Sequence, residues 1–327
     1  MAVTNRRALT IALATVAVAA TFGIGILVGR ELARPAAVRP QDPSVRYDLG
    51  PYASVATELL TYRILLEVPI DLEHPRGIAS MPDGTIWACG DRALVAIDRQ
   101  GVVTARYALG GEPACVAAGS DGRIFVGMGD HVEVVAPGGA VASWPDLGSQ
   151  AIVTSIAVNG GEVFVADAGN RMVLRFDARG KLVGTIGTGY AVPSPYFDLA
   201  AAPDGTLWVA DPGHQRVRHV DVGGKTLAGW GRSSLEIDGF GGCCNPAHLA
   251  LLPCGAIVTS EKGLLRIKVY EPDGALSAVV ATPADFKAGE TSLDLATRKA
   301  NGGEILVLVP GERVVRIYVK KEAASGG

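Results

Sequence analysis

The chain is poor in charge, and this scarcity excludes one class of function. Charged residues make up 19% of the 327 residues, and the formal net charge is −3. Without the three positive charges of the first thirty residues, Arg6, Arg7 and Arg30, the remainder carries −6. A mildly acidic body lacks the basic patch that phosphate contacts require, so nucleic acid is not expected as a partner.

Motifs that identify common enzyme classes are also missing. The sequence contains no glycine-rich phosphate loop, no nucleophile elbow and no Cys-x-x-Cys pair among its five cysteines. Any metal or catalytic site would have to be assembled from residues that lie far apart in the chain.

Glycine is abundant instead, with 42 residues, and this favours a turn-dense all-β chain. The stretch from Asp198 to Trp230 contains the turn signals Pro-Asp-Gly, Asp-Pro-Gly and Gly-Gly between short apolar or alternating runs. The pattern predicts four strands: Leu199–Ala202, Thr206–Ala210, Arg216–Val220 and Thr226–Trp230.

Copies of this unit recur about every forty residues and predict the architecture. Six units begin at Gly77, Cys115, Ser155, Asp198, His248 and Asp294. One such sheet cannot bury both of its faces, so six sheets are expected to pack radially as a six-bladed β-propeller over residues 62–320. The last unit lacks an outer strand, and we expect Arg63–Val68 to supply it and close the ring.

Two of the units carry a family signature. The segments ADAGNRMVLRFD (166–177) and ADPGHQRVRHVD (210–221) resemble NHL repeats, in which Asp, Gly, a polar residue and Arg-Val lead into the third strand. The resemblance covers about residues 62–320 and implies a six-bladed propeller, here a bacterial membrane-anchored or exported member. Asp167, Asp211 and Glu261 share one turn position, where a carboxylate is expected to accept backbone N–H bonds.

The N-terminus predicts contact with a membrane. Residues 1–7 end in Asn-Arg-Arg and precede an uncharged apolar stretch, 8–29, which is long enough to cross a bilayer. The positive charges favour a cytoplasmic N-terminus and an extracytoplasmic body, periplasmic or on the cell surface. The stretch is interpreted as an uncleaved signal anchor, with a cleaved signal peptide and a buried helix as alternatives. A proline-containing linker, 30–61, precedes the propeller, and a polar tail, 321–327, follows it.

The start of each innermost strand faces the mouth of the central channel. The spacing to the Pro-Asp-Gly turn places six residues there: Gly77, Cys115, Ser155, Asp198, His248 and Asp294. Imidazole, thiolate and carboxylate bind transition metals, so a divalent metal held by Asp198, His248 and Asp294, with Cys115 or Cys244 as a further ligand, is one hypothesis. The alternative is that short polar side chains merely solvate a water-filled channel.

The cysteines form a second group of candidates. The loop Phe240-Gly241-Gly242-Cys243-Cys244-Asn245-Pro246 resembles a Cys-Gly-Cys-Cys-Asn-Pro segment of some bacterial NHL proteins, with Gly241 at the first Cys position. Cys89 and Cys115 are expected on the same channel face as Cys243 and Cys244, which allows inert thiols, a disulfide, or a redox or metal cluster. Cys254 lies too far along its strand to join them.

Three functions follow from these features. The preferred hypothesis is a membrane-tethered, extracytoplasmic module that binds a protein or a small ligand at the channel mouth without catalysis. The second is a metal-dependent hydrolase or lyase, by similarity to the propeller amidating lyases and paraoxonase-like lactonases, which hold a metal in the channel. The third is a cysteine-based redox or metal site that serves a membrane complex.

Overall fold

The computed structural model describes residues 49–300 and 302–322. Helix α1 (Gly50–Ala53) and a 3-10 helix (Thr57–Leu59) precede the first strand. Short 3-10 turns follow three of the later strands, at Pro212–His214, Pro283–Asp285 and Pro310–Glu312. None of the helices in these ranges is long and apolar enough to span a membrane, and the anchor predicted over residues 8–29 lies outside them.

The first three blades each take four consecutive strands, which are numbered in chain order after β1 (Tyr62–Pro69). Blade 1 consists of β2 to β5: Pro75–Ser80, Ile86–Gly90, Ala93–Ile97 and Val103–Ala108. Blade 2 consists of β6 to β9: Cys115–Ala118, Ile124–Gly127, Val132–Val135 and Val141–Ser143. Blade 3 consists of β10 to β13: Val153–Asn159, Glu162–Asp167, Met172–Phe176 and Leu182–Ile186.

The last three blades complete the ring. Blade 4 consists of β14 to β17: Leu199–Ala201, Leu207–Asp211, Arg216–Val220 and Thr226–Trp230. Blade 5 consists of β18 to β21: His248–Leu251, Ile257–Ser260, Ile267–Tyr270 and Leu276–Ala281. Blade 6 takes its three inner strands from β22 to β24: Leu295–Arg298, Glu304–Val309 and Val314–Lys320. The predicted all-β, six-bladed architecture of four-stranded blades is therefore confirmed.

The outer strand of blade 6 comes from the beginning of the described chain. β1 pairs antiparallel with β24, from Tyr62 opposite Lys320 to Pro69 opposite Val314. This pairing satisfies the edge of the last sheet and joins the two ends of the propeller, as the unpaired Arg63–Val68 strand predicts.

The hydrophobic core lies between neighbouring blades. The buried apolar residues of the described chain form six clusters, and each cluster joins two neighbouring sheets. The recurring aromatic residues of the second strands pack there: Trp87, Phe125, Phe164 and Trp208. The innermost strands are thereby fixed around the axis, and the residues at their first positions line one end of the channel.

Candidate functional site

The six residues predicted at the channel mouth occupy one level of the propeller. Each lies opposite the end of the second strand in its own blade: Gly77, Cys115, Ser155, Asp198, His248 and Asp294. Three of these side chains converge, from the consecutive blades 4, 5 and 6.

The converging side chains are Asp198, His248 and Asp294, which we call the Asp–His–Asp cluster. Nδ1 of His248 lies 3.3 Å from Oδ1 of Asp294 and 3.6 Å from Oδ2 of Asp198. One potential ligand atom from each residue lies within 4.8 Å of the other two. Two carboxylates thus face one nitrogen of a single imidazole.

Both carboxylates also join neighbouring blades. Oδ2 of Asp198 accepts the backbone N–H of Leu249 at 2.7 Å, and Oδ2 of Asp294 accepts that of Ile78 at 2.8 Å. Oδ1 of Asp198 accepts the N–H of Leu199 at 2.8 Å. These bonds run from blade 4 to blade 5 and from blade 6 to blade 1, so they position the carboxylates rigidly and stabilise the ring.

Burial changes the protonation of the cluster. Burial raises the pKa of Asp294 to about 6, although the charge of His248 opposes this. Burial alone would lower the pKa of His248, but the hydrogen bond to Asp198 and the charges of both carboxylates raise it above the ordinary value. The two acidic groups therefore favour the protonated form of the imidazole.

The imidazole of His248 lines a cavity of about 480 Å³ at this end of the channel. Arg76, Tyr196 and Glu290 also line it. The Tyr196 ring packs edge-on against the imidazole, with the ring centroids 5.9 Å apart. Arg76 is exposed and has no hydrogen-bond or ion-pair partner among the described residues. The cavity thus combines an uncommitted guanidinium with a half-buried imidazole whose protonated form is favoured.

The acidic residue of the cavity wall is already engaged. Oε2 of Glu290 accepts the backbone N–H of Gly311 at 2.8 Å, and Oε1 accepts that of Thr291 at 3.1 Å. These two backbone bonds fix the position of the Glu290 carboxylate in the cavity wall.

Two of the candidate cysteines are buried between blades. Cys89 and Cys115 are buried in the apolar clusters between blades 1 and 2 and between blades 2 and 3. Burial raises the pKa of both thiols well above the ordinary range. Cys89 pairs with Gly77 and Cys115 with Gly127, so both lie at the level of the channel mouth, and the expectation that they share a face with Cys243 and Cys244 stays a prediction.

Cys243 and Cys244 lie together in the loop before blade 5. Their Sγ atoms are 3.1 Å apart, and none of the five cysteines forms a disulfide in the described structure. Burial alone would raise the pKa of Cys244, but the hydrogen bond from the Ser194 hydroxyl and the charge of Lys262 lower it. The neighbouring sulfur of Cys244 raises the pKa of Cys243. Cys254 is exposed and apart from this pair, as the spacing predicts.

The turn carboxylates differ between blades. Oδ1 of Asp211 accepts the backbone N–H of Ala191 at 2.9 Å, and Oδ1 of Asp167 accepts that of Ile152 at 3.0 Å, as expected. Glu261 departs from this expectation. Its fully buried carboxylate forms ion pairs with Arg266, just before the next strand, and with Lys268 in that strand.

Sequence reasoning did not identify Arg76, Ser194, Tyr196 or Lys262. Arg76 lies in β2 and Lys262 in the turn after β19, whereas Ser194 and Tyr196 lie in the connection before β14. The repeat pattern does not mark these side chains, because the equivalent positions of other units carry other residue types. In the sequence, only the loop that contains Cys243 and Cys244 indicates that the region next to the inner strand of blade 5 is unusual.

Comparisons with solved structures agree with the fold. A streptogramin B lyase structure superimposes with a TM-score of 0.57 at 14% identity, over 81% of this chain and 89% of that one. A catalytically inactive histidine-to-alanine variant of virginiamycin B lyase from Staphylococcus aureus, with quinupristin, gives 0.57 at 12% identity over 79% and 99%. The WD40 propeller domain of Doa1 gives 0.57 at 15% identity over 80% and 97%.

At these identities the similarity defines the class of protein, a β-propeller, and nothing finer. No protein-family model matches the chain, and no curated protein does. Membership of the NHL family therefore stays a prediction from the two repeat segments.

Proposed function

We propose that the protein is a membrane-tethered, extracytoplasmic propeller that binds a protein or small ligand at the channel mouth. One observation carries the binding part of this proposal: His248, fixed between Asp198 and Asp294, lines a cavity of about 480 Å³ beside the unpartnered Arg76. A concave site with a few convergent polar groups is the usual form of a ligand site. The tether rests on the apolar stretch 8–29.

The charges of the cavity favour a ligand group that accepts hydrogen bonds. Nδ1 of His248 faces the two carboxylates, which leaves Nε2–H as the donor of this imidazolium. The guanidinium of Arg76 offers a planar set of donors, and such a set matches a carboxylate or a phosphate. A carboxylate or phosphate group of the ligand would therefore bind between Arg76 and His248.

Calorimetric titration of the full chain in mild detergent tests this assignment, with acetate and inorganic phosphate as probes. We expect one saturable site for at least one anion, weakened about tenfold or more in Arg76→Ala because a charged hydrogen bond is lost. Arg63→Ala, at an exposed position on the outer strand of blade 6, is the matched control. Equal binding by both variants, or no saturable binding, would contradict the assignment.

A metal-dependent hydrolase or lyase is the second candidate, and the close approach of the three potential ligand atoms favours it. Their separations of 3.3 and 3.6 Å from Nδ1 suit atoms that share one ion at about 2.0–2.2 Å. Asp198, His248 and Asp294 would hold a divalent metal, which supplies Lewis-acid activation of water when bound. The lyases that share the fold make this class worth testing.

Elemental analysis of the full chain, purified without chelator, separates the two candidates. The metal-dependent enzyme requires stoichiometric metal in the wild type, retained in His131→Ala and lost in His248→Ala. If the wild type contains no metal, or if both variants contain equal amounts, the metal candidate is contradicted and anion binding remains.

The membrane tether has its own test. We expect the full chain to remain in the membrane pellet after carbonate extraction, and a chain without residues 1–30 to be released. Release of the full-length species would contradict a tether, and a shortened species in the soluble fraction would indicate a cleaved signal peptide.

A further inference from the structure

The loop between β17 and β18 holds two neighbouring thiols in different surroundings. Cys243 is exposed, whereas Cys244 is 2% exposed, and their Sγ atoms are 3.1 Å apart. An incoming molecule can therefore reach Cys243, and Cys244 lies directly behind it.

Side chains of the loop and of the following strand turn hold this pair in place. Oδ1 of the buried Asn245 accepts the backbone N–H of Lys262 at 2.8 Å, and Nδ2 donates to the carbonyl oxygens of Lys262 and Gly241. Further along, Nη1 of Arg266 donates to Leu235 O, and Nζ of Lys268 donates to the carbonyl oxygen of another loop residue. The loop is thus bonded at several points to blade 5, and the sulfurs are preorganised.

A cation lies beside the inner thiol. Nζ of Lys262 lies 3.3 Å from Oγ of Ser194 and 4.2 Å from the centre of the Tyr196 ring, and both Lys262 and Ser194 interact with Cys244. An ammonium and a hydroxyl stabilise a thiolate. The same ammonium repels a metal cation, so its position favours nucleophilic chemistry of the sulfurs over metal binding.

We propose that Cys243 and Cys244 form a dithiol that reduces a disulfide substrate. The exposed Cys243 sulfur attacks one sulfur of the substrate, its S–S bond breaks, and the first product leaves as a thiol. Cys244 then attacks Cys243 Sγ, the mixed disulfide breaks, and the second product thiol leaves. The pair loses two electrons and two protons, both taken up by the substrate, and closes as a disulfide between adjacent residues.

Glutathione disulfide and the full chain test this proposal, with alkylation of remaining thiols, intact mass and peptide mapping. In the wild type we expect the 243–244 peptide to lose two hydrogens and to carry no adduct. In Cys244→Ser we expect a stable glutathione adduct on Cys243. Cys254→Ser, which removes the other exposed thiol, is the matched control and leaves the reaction of the pair unchanged.

The role of Lys262 as a positioning residue has a separate readout. Lys262→Met is expected to slow the attack of Cys244 on the mixed disulfide at pH 7 on the order of tenfold and to displace the pH profile of this step upwards, and Lys262→Arg is expected to restore most of the rate. The proposal is overturned if the wild type retains a stable adduct on Cys243. It is equally overturned if Cys244→Ser forms no adduct on Cys243.

Discussion

Blades 4 and 5 use the same turn position in different ways. In blade 4, buried Asp211 ties a short connection by accepting the N–H of Ala191 and a bond from Arg216 Nε at 2.9 Å. In blade 5, Glu261 forms ion pairs with Arg266 and Lys268, and all three side chains are fully buried. The two cations in turn bind carbonyl groups of the loop at residues 231–247.

The difference shows that blade 5 and the loop before it depart from the repeat that blade 4 follows. An aspartate at this position suits a connection that only has to return the chain to the next inner strand. A longer loop that carries Cys243 and Cys244 has many carbonyl groups to satisfy, and a buried pair of cations satisfies several at once. The added cations then require Glu261 for charge balance.

Breaking the ion cluster of blade 5 should have the largest effect. Glu261→Gln leaves Arg266 and Lys268 buried without a counter-charge, and we expect the free energy of unfolding to fall by about 3–5 kcal/mol. Urea denaturation measures this loss. A loss no larger than that of Asp211→Asn would show that blade 5 does not depend on the cluster.

The second largest expected effect is the pH dependence of the free energy of unfolding that arises from Asp294 at the channel mouth. The pKa of Asp294 is raised from 3.8 to about 6, so the stability it contributes is fully present below 3.8 and is lost as the pH rises through 6. Relative to Asp294→Asn, the wild-type free energy of unfolding should therefore fall by about 2–3 kcal/mol over this window. Urea denaturation at several pH values measures the difference, and a flat difference would contradict the burial of this carboxyl group.

Weakening the turn of blade 4 should have a smaller effect. Asp211→Asn removes the charge that Arg216 faces but keeps one acceptor for Ala191, so we expect a loss of about 1–2 kcal/mol. The same measurement on Asp167→Asn in blade 3 provides the internal comparison. Losses as large as that of Glu261→Gln would remove the distinction between the regular blades and blade 5.

Restoring the repeat in blade 5 should stabilise the protein slightly. Cys254 occupies a turn position that is an aspartate, Asp204, in blade 4. There Oδ1 of Asp204 accepts the N–H of Thr206 at 2.9 Å. Cys254→Asp gives the N–H of Ala256 an equivalent acceptor, because Gly255 has the φ of +92° that this turn requires. We expect a gain of about 0.5–1 kcal/mol in urea denaturation, and a loss would show that the turns are not equivalent.

Repetition made the fold predictable. Six copies of one strand pattern specify the blades, and the missing outer strand of the last copy identifies Arg63–Val68 as its partner. The level of Asp198, His248 and Asp294 also follows from a repeated spacing.

The surroundings of the site were not predictable in the same way. The spacing does not reveal that the two carboxylates accept N–H groups of neighbouring blades, because those donors come from distant strands. It also does not reveal that the side chain of Cys89 is buried against the neighbouring blade, because the residues that cover it come from another unit. Arg76 lies in β2 and Lys262 in the turn after β19, and only three-dimensional contacts reveal what they adjoin.

The titration of His248 in the full chain tests the central claim most directly. NMR of labelled histidine rings, assigned with His248→Gln, follows its protonation with and without inorganic phosphate. The account predicts a pKa above the ordinary 6.5 and a saturable change of the His248 signal with phosphate that Arg76→Ala abolishes. A pKa at or below 6.5, with a His248 signal indifferent to phosphate, would contradict the claim that this imidazole is the anchor of a ligand site.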